Sequence, residues 1–496
     1  MNKFYLTTPI YYVNGEAHIG HAYTMIIADV IARFKRLDGY DVMFLTGTDE
    51  HGQKILQSAE KHNMLPQAFV DSIVPKFQNL WKKMGCTHDY FIRTTNLQHK
   101  AFVQDVWRRM ADKGYIYLGD YSGWYAVRDE AFYSEADLIN GKAPTGADVE
   151  WVITPSYFFR LSAFQNRLLE LYELHPEFVM PYYRLNEVKA FVEGGLRDLS
   201  ISRMDLKWGI PVPGDEKHSI YVWLDALFNY LSALEMQGKQ NFWPCDIHIV
   251  GKDILQFHAV YWPAFLLALD IQPPKQILAH GWWQNDGQKM SKSLGNTVDP
   301  NDIIDKFSAD YMRYFMLREM SVGQDGSFTN DALISRINGE LINNIGNLVQ
   351  RVVSFVDKQY LGIVPHANNL NDDDLELLSM THEGIDKIRH CITSYKLNEA
   401  LNIILHIGHT ANAYVEKNAP WHLKKTDVIR LDNVIFTLLE CIRVIGILLQ
   451  PFIPVSAAKI LSIFYNTAEI QPFSSTKSIN IGGWTIHPLQ QVFIKL

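Results

Sequence analysis

The first fifty residues follow the order strand, glycine loop, helix, strand, and this order restricts the chain to a small set of folds. Residues 4–6 form a short apolar run, and a loop containing Gly15 follows. The apolar periodicity over 22–37 predicts a helix. A second apolar run, 42–45, is followed by residues 46–52, which we predict to form a polar loop. The sequence therefore predicts a βαβ unit of a parallel sheet, in which ligands bind beyond the carboxyl ends of the strands.

The rest of the chain divides by its pattern into further parts. Near residue 115 the alternation of helices and strands lapses into short aromatic strands and turns, which indicates an inserted subdomain. The alternation resumes with apolar runs that predict strands at 220–223, 247–250 and 277–279. Beyond about residue 330, apolar residues recur at spacings of three and four, as in a helical bundle. The predicted helices of this bundle cover 332–356, 375–392, 397–415 and 428–449.

We therefore predict an α/β fold class with an additional all-α domain. The parallel-sheet domain is split by the insertion into two halves, because the strand pattern stops and then resumes. The predicted boundaries are 1–114 for the first half, 115–210 for the insertion, 211–330 for the second half and 331–496 for the helical domain.

Composition and charge exclude several classes of protein. The 496 residues are 47% hydrophobic and 20% charged, which is ordinary for a folded protein and argues against a disordered chain. Lysine plus arginine number 46 against 54 aspartate plus glutamate, a net charge of −8, so any RNA contact must be local. The four cysteines lack zinc-knuckle spacing and fit a reducing compartment. With no signal peptide and no apolar run of roughly 20 residues, we expect a soluble cytoplasmic protein without a membrane span.

Two histidines stand at the start of the first predicted helix. His18 and His21 are three residues apart, directly after the glycine loop. On the first turn both rings can reach one ligand, while the helix N-terminus contributes N–H groups and positive partial charge. Gly15 and Gly20 allow a phosphate or an adenine to approach the backbone closely. This pattern predicts an anion site, although taken alone it is equally typical of a capped helix with surface histidines.

A lysine loop follows the last predicted strand. It reads Lys289-Met290-Ser291-Lys292-Ser293 and is flanked by Gly287 and Gly295. Two lysines in a glycine-flanked loop suit a triphosphate whose oxygens gain charge as pyrophosphate leaves. Solvent-exposed lysine turns are common, so the loop alone is a weak signal. Its occurrence together with the histidine pair, in this order and context, favours nucleotide chemistry.

The histidine and lysine motifs together resemble the HIGH and KMSKS motifs of class I aminoacyl-tRNA synthetases. Further stretches narrow the resemblance to the methionyl-tRNA synthetase family, and they are residues 9–15, 46–52, 221–227 and 251–258. The resemblance implies a Rossmann-like catalytic domain in two halves, an inserted connective subdomain and an anticodon-binding helical domain. It also implies a ligase that activates L-methionine with ATP to methionyl-adenylate plus pyrophosphate. The methionyl group then passes to the 3′ end of tRNA(Met), the initiator tRNA included.

The resemblance assigns site residues by their positions in the matching stretches. Asp49 matches the aspartate that holds the ammonium group of methionine, and aromatic faces suit an unbranched, polarizable side chain. The implied side-chain pocket consists of Ile10, Tyr12, Trp223, Ala226, Leu227, Tyr230, Ile254 and His258. The implied catalytic residues are His18, His21, Lys289 and Lys292. The implied ATP-binding residues are Gly15, Gly20, Gly251, Asp253, His280, Lys289, Met290 and Lys292. Taken singly, Tyr12, Trp223 and Tyr230 fit core aromatics better.

Two expectations concern metals. Mg²⁺ should accompany ATP as a bridge between phosphate oxygens, without a metal site of the protein's own. Many members of the family carry zinc on cysteine knuckles in the insertion, but the corresponding residues 122–132 contain no cysteine. Because neutral and cationic residues cannot replace thiolates around zinc, we predict an insertion without structural zinc. We expect Trp124, Tyr125, Phe132 and Trp151 to hold it together instead.

The helical domain carries a candidate RNA surface. Asn347 and Arg351 are four residues apart and share a helix face, which Asn343 extends. Asn and Arg can hydrogen-bond unstacked bases, and Trp421, directly after Pro420, offers a stacking surface. The resemblance implies that Asn347, Arg351, Pro420 and Trp421 bind the anticodon; without it, a solvated helix face and a packed tryptophan are the simpler interpretation. We expect a monomer.

Two other classes of function stay open from the residues alone. A nucleic-acid-binding or regulatory protein that keeps this fold without its chemistry should lack a histidine or a lysine of the two motifs, and this chain has them all. A cofactor adenylyltransferase that shares the histidine motif is usually much shorter and has no helical domain of this kind. Exchange of pyrophosphate into ATP that depends on methionine separates both from the ligase.

Overall fold

A computed structural model describes residues 2–129, 131–133, 135–285, 288–289, 298–465, 470–477, 480–488 and 490–496. The strands, in chain order, are β1 Lys3–Tyr12, β2 Asp41–Asp49, β3 Tyr90–Arg93, β4 Ile116–Ala126, β5 Ala131–Tyr133, β6 Glu150–Phe159, β7 Val179–Met180, β8 Leu199–Ser200, β9 Ser202–Met204, β10 Pro211–Val212, β11 Asp215–Ile220, β12 Ile247–Gly251, β13 Ile277–His280, β14 Trp283–Asn285, β15 Gln288–Lys289 and β16 Gly326–Phe328.

Helices cover both faces of the main sheet and form most of the last third of the chain. In chain order they are α1 Ile19–Leu37, α2 Gln53–Lys61, α3 Pro66–Lys83, α4 Leu97–Asp112, α5 Gln165–Leu174, α6 Tyr182–Glu193, α7 Val222–Leu227, α8 Asn229–Met236, α9 Trp262–Ala268, α10 Pro300–Phe307, α11 Ala309–Glu319, α12 Asn330–Arg336, α13 Asn347–Tyr360, α14 Asp372–Thr393, α15 Leu397–Asn418, α16 Pro420–Thr426, α17 Val428–Leu449 and α18 Pro454–Leu461. Among the residues described, none of these helices is both long enough and apolar enough to traverse a membrane.

The main sheet is parallel, with strand order β3-β2-β1-β12-β13-β7. Its strands are buried because helices pack on both faces, which explains their nearly continuous apolar runs. The two halves of the sheet come from chain segments on either side of the predicted insertion. The short strand β7 lies within the segment 115–210 and still joins this sheet, where Val179 pairs with Ile277.

The inserted segment folds mainly as an antiparallel sheet of order β5-β4-β6-β8. Its centre is a long pairing of β4 with β6, from Ile116 opposite Phe159 to Tyr125 opposite Glu150. Aromatic side chains meet across it, and the rings of Trp124 and Trp151 lie edge to face at 5.4 Å. These contacts agree with the expectation for Trp124 and Trp151.

The last third is helical, and α17 is buried along almost its whole length between α14 and α15. A stretch of π-helix over 337–346 joins α12 to α13, so the predicted helix 332–356 is continuous but locally wider. The buried Arg313 of α11 pairs with Asp29 of α1 at 2.7 Å and donates to the carbonyl oxygens of Pro451 and Phe452 at 2.8 Å. Helix α1 is therefore anchored at its buried face to the helical domain.

Two predictions about local structure are wrong. Residues 220–223 do not form a strand of the main sheet: β11 ends at Ile220 in a small antiparallel sheet, and a helix begins at Val222. A helix places Trp223 and Ala226 on one face, whereas a strand would put them on opposite faces. Residues 46–49 are not a loop but the end of β2, because both edges of this segment pair with neighbouring strands.

Candidate active site

A cavity of about 620 Å³ opens at the carboxyl ends of β1, β2, β12 and β13. This is the edge at which parallel sheets of this kind bind ligands. The predicted site residues that line it are Ile10, Tyr12, His18, Gly20, His21, Asp49, Trp223, Ala226, Leu227, Tyr230, Gly251, Asp253, Ile254, His258 and His280. Gly15 is not in the lining, although its neighbour Asn14 is.

The two motif histidines cap helix α1. His18 is the residue before the helix, and its Nδ1 accepts a hydrogen bond from the N–H of Gly20 at 3.1 Å. The Nδ1 of His21 accepts in return from the N–H of His18 at 3.3 Å. The rings stack with centroids 3.7 Å apart. Because both Nδ1 atoms accept, a neutral ring carries its proton on Nε2, so each imidazole is a hydrogen-bond donor there.

Glycine at position 20 leaves room for this stacked arrangement. A Cβ atom at this position would lie 3.0 Å from Cε1 and 3.1 Å from Nδ1 of His18, which is closer than side chains normally pack. The histidines and the N-terminal N–H groups of a 19-residue helix thus face the same cavity without an acidic residue in the first turn. This arrangement suits an anion.

Asp49 and Tyr12 are direct partners at the ends of two adjacent strands. Asp49 is 8% exposed and lines the cavity. A buried carboxylate at this place can hold an ammonium group through charge-assisted hydrogen bonds. Lys54 of α2 lies 5.8 Å from the centroid of the Tyr12 ring and also lines the cavity.

The deep end of the cavity combines aromatic faces with one neutral polar pair. The rings of Trp223 and Phe257 stack at 3.7 Å. His258 Nδ1 lies 3.0 Å from the carbonyl oxygen of Ile254, so Nδ1 donates and Nε2 accepts from the hydroxyl of Tyr230 at 2.8 Å. Burial lowers the pKa of His258 to about 4 and raises that of Tyr230. The pair therefore stays uncharged at neutral pH, as an apolar substrate side chain requires.

Asp253 is placed by two neighbours at the end of β12. Its Oδ1 accepts a hydrogen bond from the indole N–H of Trp282 at 3.1 Å. A Cβ atom on Gly251 would lie only 2.5 Å from the same oxygen, so glycine there leaves room for the carboxylate. The exposed carboxylate at the rim of the cavity can accept hydrogen bonds from ribose hydroxyls.

His280 joins β13 to the first turns of α1. Its Nδ1 donates to the carbonyl oxygen of Gly281 at 2.8 Å, and its Nε2 lies 2.7 Å from Oγ1 of Thr24. Burial lowers the pKa of His280, so the ring is neutral and Nε2 accepts. Both ring nitrogens are committed to protein, which leaves only its carbon edge for a nucleotide.

Backbone contacts on both sides of the lysine loop lie next to residues of the cavity. At the start of the loop, the backbone of Lys289 pairs with Gln284, next to the cavity-lining Trp283. After the loop, the carbonyl oxygen of Val298 accepts a hydrogen bond from the N–H of Ile19 at 3.3 Å. Met290 and Lys292 lie outside the described residues, as does the side chain of Lys289. The described residues on the two sides of the loop thus adjoin Trp283 and Ile19, which both line the cavity.

The sequence matches two protein families along its length. Residues 4–151 and 134–353 match the family described as class I (M) tRNA synthetases. Residues 364–484 match the anticodon-binding domain of methionyl-tRNA ligase.

The chain belongs to the methionyl-tRNA synthetase family. It is 53% identical over 468 residues to a methionine–tRNA ligase of Rickettsia felis, covering 93% of this chain and 91% of that protein. It is 48% identical over 480 residues to that of Mesorhizobium japonicum, covering 95% and 93%. Among solved structures, a methionyl-tRNA synthetase of Mycobacterium tuberculosis in complex with methionyl-adenylate superposes with a TM-score of 0.96 at 42% identity, covering 99% of this chain and 100% of that chain. The α/β fold class with a helical anticodon-binding domain is confirmed.

Three of the predicted anticodon residues of this synthetase lie on one exposed surface. Asn347 and Arg351 stand one turn apart on α13, and the guanidinium carbon of Arg351 lies 5.6 Å from the centroid of the Trp421 ring. Trp421 is 39% exposed, and Arg351 donates to Glu416 at 2.7 Å. Pro420 is buried at the first position of α16, where its fixed backbone angle suits the start of a helix.

The cavity residues of this synthetase that sequence reasoning missed include Lys54, Asp129 and Trp282. Lys54 lies two residues beyond the matched stretch 46–52, and Trp282 stands between His280 and the lysine loop, so both had a positional signal. Asp129 comes from the insertion, and nothing in the sequence shows that this segment reaches the cavity.

The donor set of the insertion does not fit a zinc site. All four cysteines of the chain, Cys86, Cys245, Cys391 and Cys441, lie outside residues 115–210. Residues 126–129 instead supply apolar, cationic and acidic side chains, in which Arg128 and Asp129 face each other at 3.4 Å. A zinc-free insertion stays a prediction that rests on these donors.

Proposed function

We propose that the ligase reaction takes place in the 620 Å³ cavity, with the histidine pair and the lysine loop acting on the same triphosphate. The substrates are L-methionine, ATP and tRNA(Met), as in the relatives. The observation that carries the proposal is the hydrogen bond from the N–H of Ile19, in the histidine motif, to the carbonyl oxygen of Val298, five residues after Ser293 of the lysine loop, at 3.3 Å. It supports convergence of both motifs on one ligand.

Activation joins the methionine carboxylate to the α-phosphate of ATP and releases pyrophosphate. The carboxylate is already ionised, so no general base is needed, and alignment together with stabilisation of the phosphate charge provides the rate enhancement. His18 and His21 supply Nε2–H donors and the α1 N-terminus supplies oriented N–H groups. We propose that Lys289 and Lys292 supply the remaining positive charge that stabilises the phosphate groups.

Methionine is held at both of its ends in this proposal. Asp49 binds the ammonium group. The side chain lies among Ile10, Tyr12, Trp223, Ala226, Leu227 and Ile254, and reaches the pair formed by Tyr230 and His258. Aromatic contacts to a thioether contribute about 0.3 to 1.5 kcal/mol each, which favours methionine over smaller side chains.

ATP extends from the histidines toward β12. We propose that Asp253 binds the ribose hydroxyls and that Gly20 and Gly251 let ATP approach the backbone closely. Gly15, His280 and Met290 complete the proposed set of ATP-binding residues. A Mycobacterium tuberculosis homologue of the same fold was solved with methionyl-adenylate, which supports this assignment. Mg²⁺ would enter with ATP as part of the substrate and would neutralise part of its phosphate charge.

Transfer requires tRNA bound along the molecule. We propose that Asn347, Arg351 and Trp421 bind the anticodon of both initiator and elongator tRNA(Met), while Pro420 orients Trp421. The match of 364–484 to an anticodon-binding domain supports this. The proposed units are the catalytic halves 1–114 and 211–330, the insertion 115–210 and the helical domain 331–496, in a monomer of the cytoplasm.

The test is ATP–pyrophosphate exchange with purified protein and methionine, leucine, isoleucine or cysteine, followed by charging of tRNA(Met). We expect exchange with methionine to exceed the others in kcat/KM by about 100-fold or more, because the pocket must match length and polarity together. Equal exchange on leucine, or exchange without charging of tRNA(Met), would contradict the proposal.

A further inference from the structure

A buried aspartate outside the cavity lining joins two of the walls that hold methionine. Asp225 is 1% exposed, and its two carboxylate oxygens each lie 2.7 Å from a histidine ring nitrogen. One partner is Nδ1 of His51, which follows the end of β2, and the other is Nε2 of His99 on α4. A carboxylate only accepts, so both rings donate to it.

The aspartate and its partners are held in one arrangement. His51 and His99 are 2% and 0% exposed, and Nδ1 of His99 lies 2.7 Å from Oγ of Ser232 on α8. Burial by itself raises the pKa of Asp225, but the charge and hydrogen bonds of His51 and His99 outweigh it and lower the pKa to about 2. The carboxylate therefore stays ionised, and hydrogen bonds to an ionised acceptor are the stronger ones.

The two elements that Asp225 connects carry opposite ends of the amino-acid site. His51 stands two residues beyond Asp49, in a segment that Glu50 fixes to β3 through hydrogen bonds from Arg93 at 2.7 Å and 2.9 Å. Asp225 lies on α7, whose Trp223, Ala226 and Leu227 line the cavity. Helix α7 has only six residues and no side-chain cap, so its position depends on such contacts.

We propose that Asp225, through His51, fixes the distance between the ammonium site and the side-chain slot and so selects amino acids by side-chain length. An amino acid held at its ammonium group reaches a set depth into the slot. The separation of Asp49 from α7 then determines which unbranched side chain fills it. Asp225 is a positioning residue for this selection, and the inference rests on the proposed role of Asp49.

The test compares kcat/KM for methionine with that for ethionine, one CH₂ longer, and norvaline, one heavy atom shorter, in ATP–pyrophosphate exchange. Norleucine is the control substrate, since it matches methionine in length and has a CH₂ group in place of the sulfur. The wild-type protein should prefer methionine over ethionine by about tenfold or more, the usual effect of one methylene in a fitted pocket. Asp225→Ala should reduce that ratio to about threefold or less, without changing the methionine-to-norleucine ratio.

Two leucine variants form a matched pair, because leucine nearly fills the space of an imidazole. His51→Leu and His99→Leu each remove one 2.7 Å hydrogen bond to the same carboxylate, but only His51 belongs to the segment of Asp49. We expect His51→Leu to lose length selection and His99→Leu to keep it, at comparable losses in melting temperature. If both variants lose it equally, or neither does, Asp225 has a structural role and the proposal is wrong.

Asp225→Asn provides the rescue. The amide can accept from His51 and donate to Nε2 of His99, whose Nδ1 then donates to Ser232, so both hydrogen bonds survive the loss of charge. Length selection should stay within about twofold of wild type, and its loss would contradict the positioning role. Asp225→Asn also tests the positioning role of Asp225 if Asp225→Ala does not fold. Absence of methionine-dependent exchange in the wild-type protein would overturn the proposed function instead, so the two failures are distinguishable.

Discussion

Aromatic and basic side chains occur both in the cavity and on the exposed surface around Trp421, but they are buried in the cavity and solvent-exposed at the surface. In the cavity, Tyr230 and His258 are each 1% exposed and hydrogen-bonded to each other at 2.8 Å. At the surface, Trp421 is 39% exposed and Arg351 is paired with a largely exposed carboxylate of Glu416. A small substrate and its transition state require groups fixed before binding, whereas stacking on an unpaired base tolerates adjustment.

This difference determines what a substitution reports. In the cavity, Tyr230 and His258 satisfy each other's buried polar groups, so a change at either residue alters folding and binding together. At the surface, a change removes a ligand contact and leaves the fold nearly intact. The following predictions separate the two cases.

The largest effect is expected at the histidine cap. His21→Ala should lower kcat for methionine-dependent exchange by about 10²- to 10³-fold, because it removes a donor to developing phosphate charge. The KM for methionine should stay within about threefold, since the lost contact acts mainly in the transition state. Steady-state exchange at varied methionine measures both.

Asn371 supplies the control for this cap. It forms the same reciprocal capping box at the start of α14, with Asp374, in the helical domain. Asn371→Ala should cost about 1 kcal/mol of stability and leave exchange kinetics unchanged. If His21→Ala affects only stability to the same degree, the histidines are a cap and nothing more.

A pH effect on stability is expected from the deep end of the cavity. The pKa of His258 is lowered from 6.5 to about 4, so between these values the unfolded chain binds a proton that the folded chain does not. The neutral ring of His258 makes its full contribution to the free energy of unfolding above pH 6.5. This contribution, up to about 3 kcal/mol, is lost as the pH falls toward 4. Urea unfolding at several pH values should show a shallower pH dependence for His258→Gln than for wild type.

Tyr230→Phe tests the cause of that effect. Burial is the dominant reason for the shift at His258, and phenylalanine preserves burial while removing the hydroxyl. The pH dependence of unfolding should therefore remain in Tyr230→Phe. A slope as shallow as that of His258→Gln would mean that the hydroxyl, not burial, keeps the ring neutral.

The parts of the molecule that were predictable from sequence are those with local sequence signals. The apolar runs of β1, β12 and β13 and the period of α1 are local signals, and the motifs then located most of the cavity lining. The helix at Val222 was missed because its β-branched and aromatic residues favour a strand, while the contacts of Asp225 with His51 and His99, distant in sequence, favour a helix. Asp129 was missed for a related reason, since only the folded insertion brings it to the cavity.

The smallest effect is expected at the exposed surface. Trp421→Ala should lower kcat/KM for charging of tRNA(Met) by about 10- to 100-fold, corresponding to about 1 to 3 kcal/mol for the loss of one stacking contact. Methionine-dependent exchange should stay near wild type, because Trp421 is not among the residues that line the cavity. Ile429→Ala, which shortens a 67% exposed side chain of α17 in the same domain, should leave both reactions unchanged. A parallel loss of exchange in Trp421→Ala would show that this tryptophan stabilises the fold, and the contrast between a rigid cavity and an adaptable surface would then not hold.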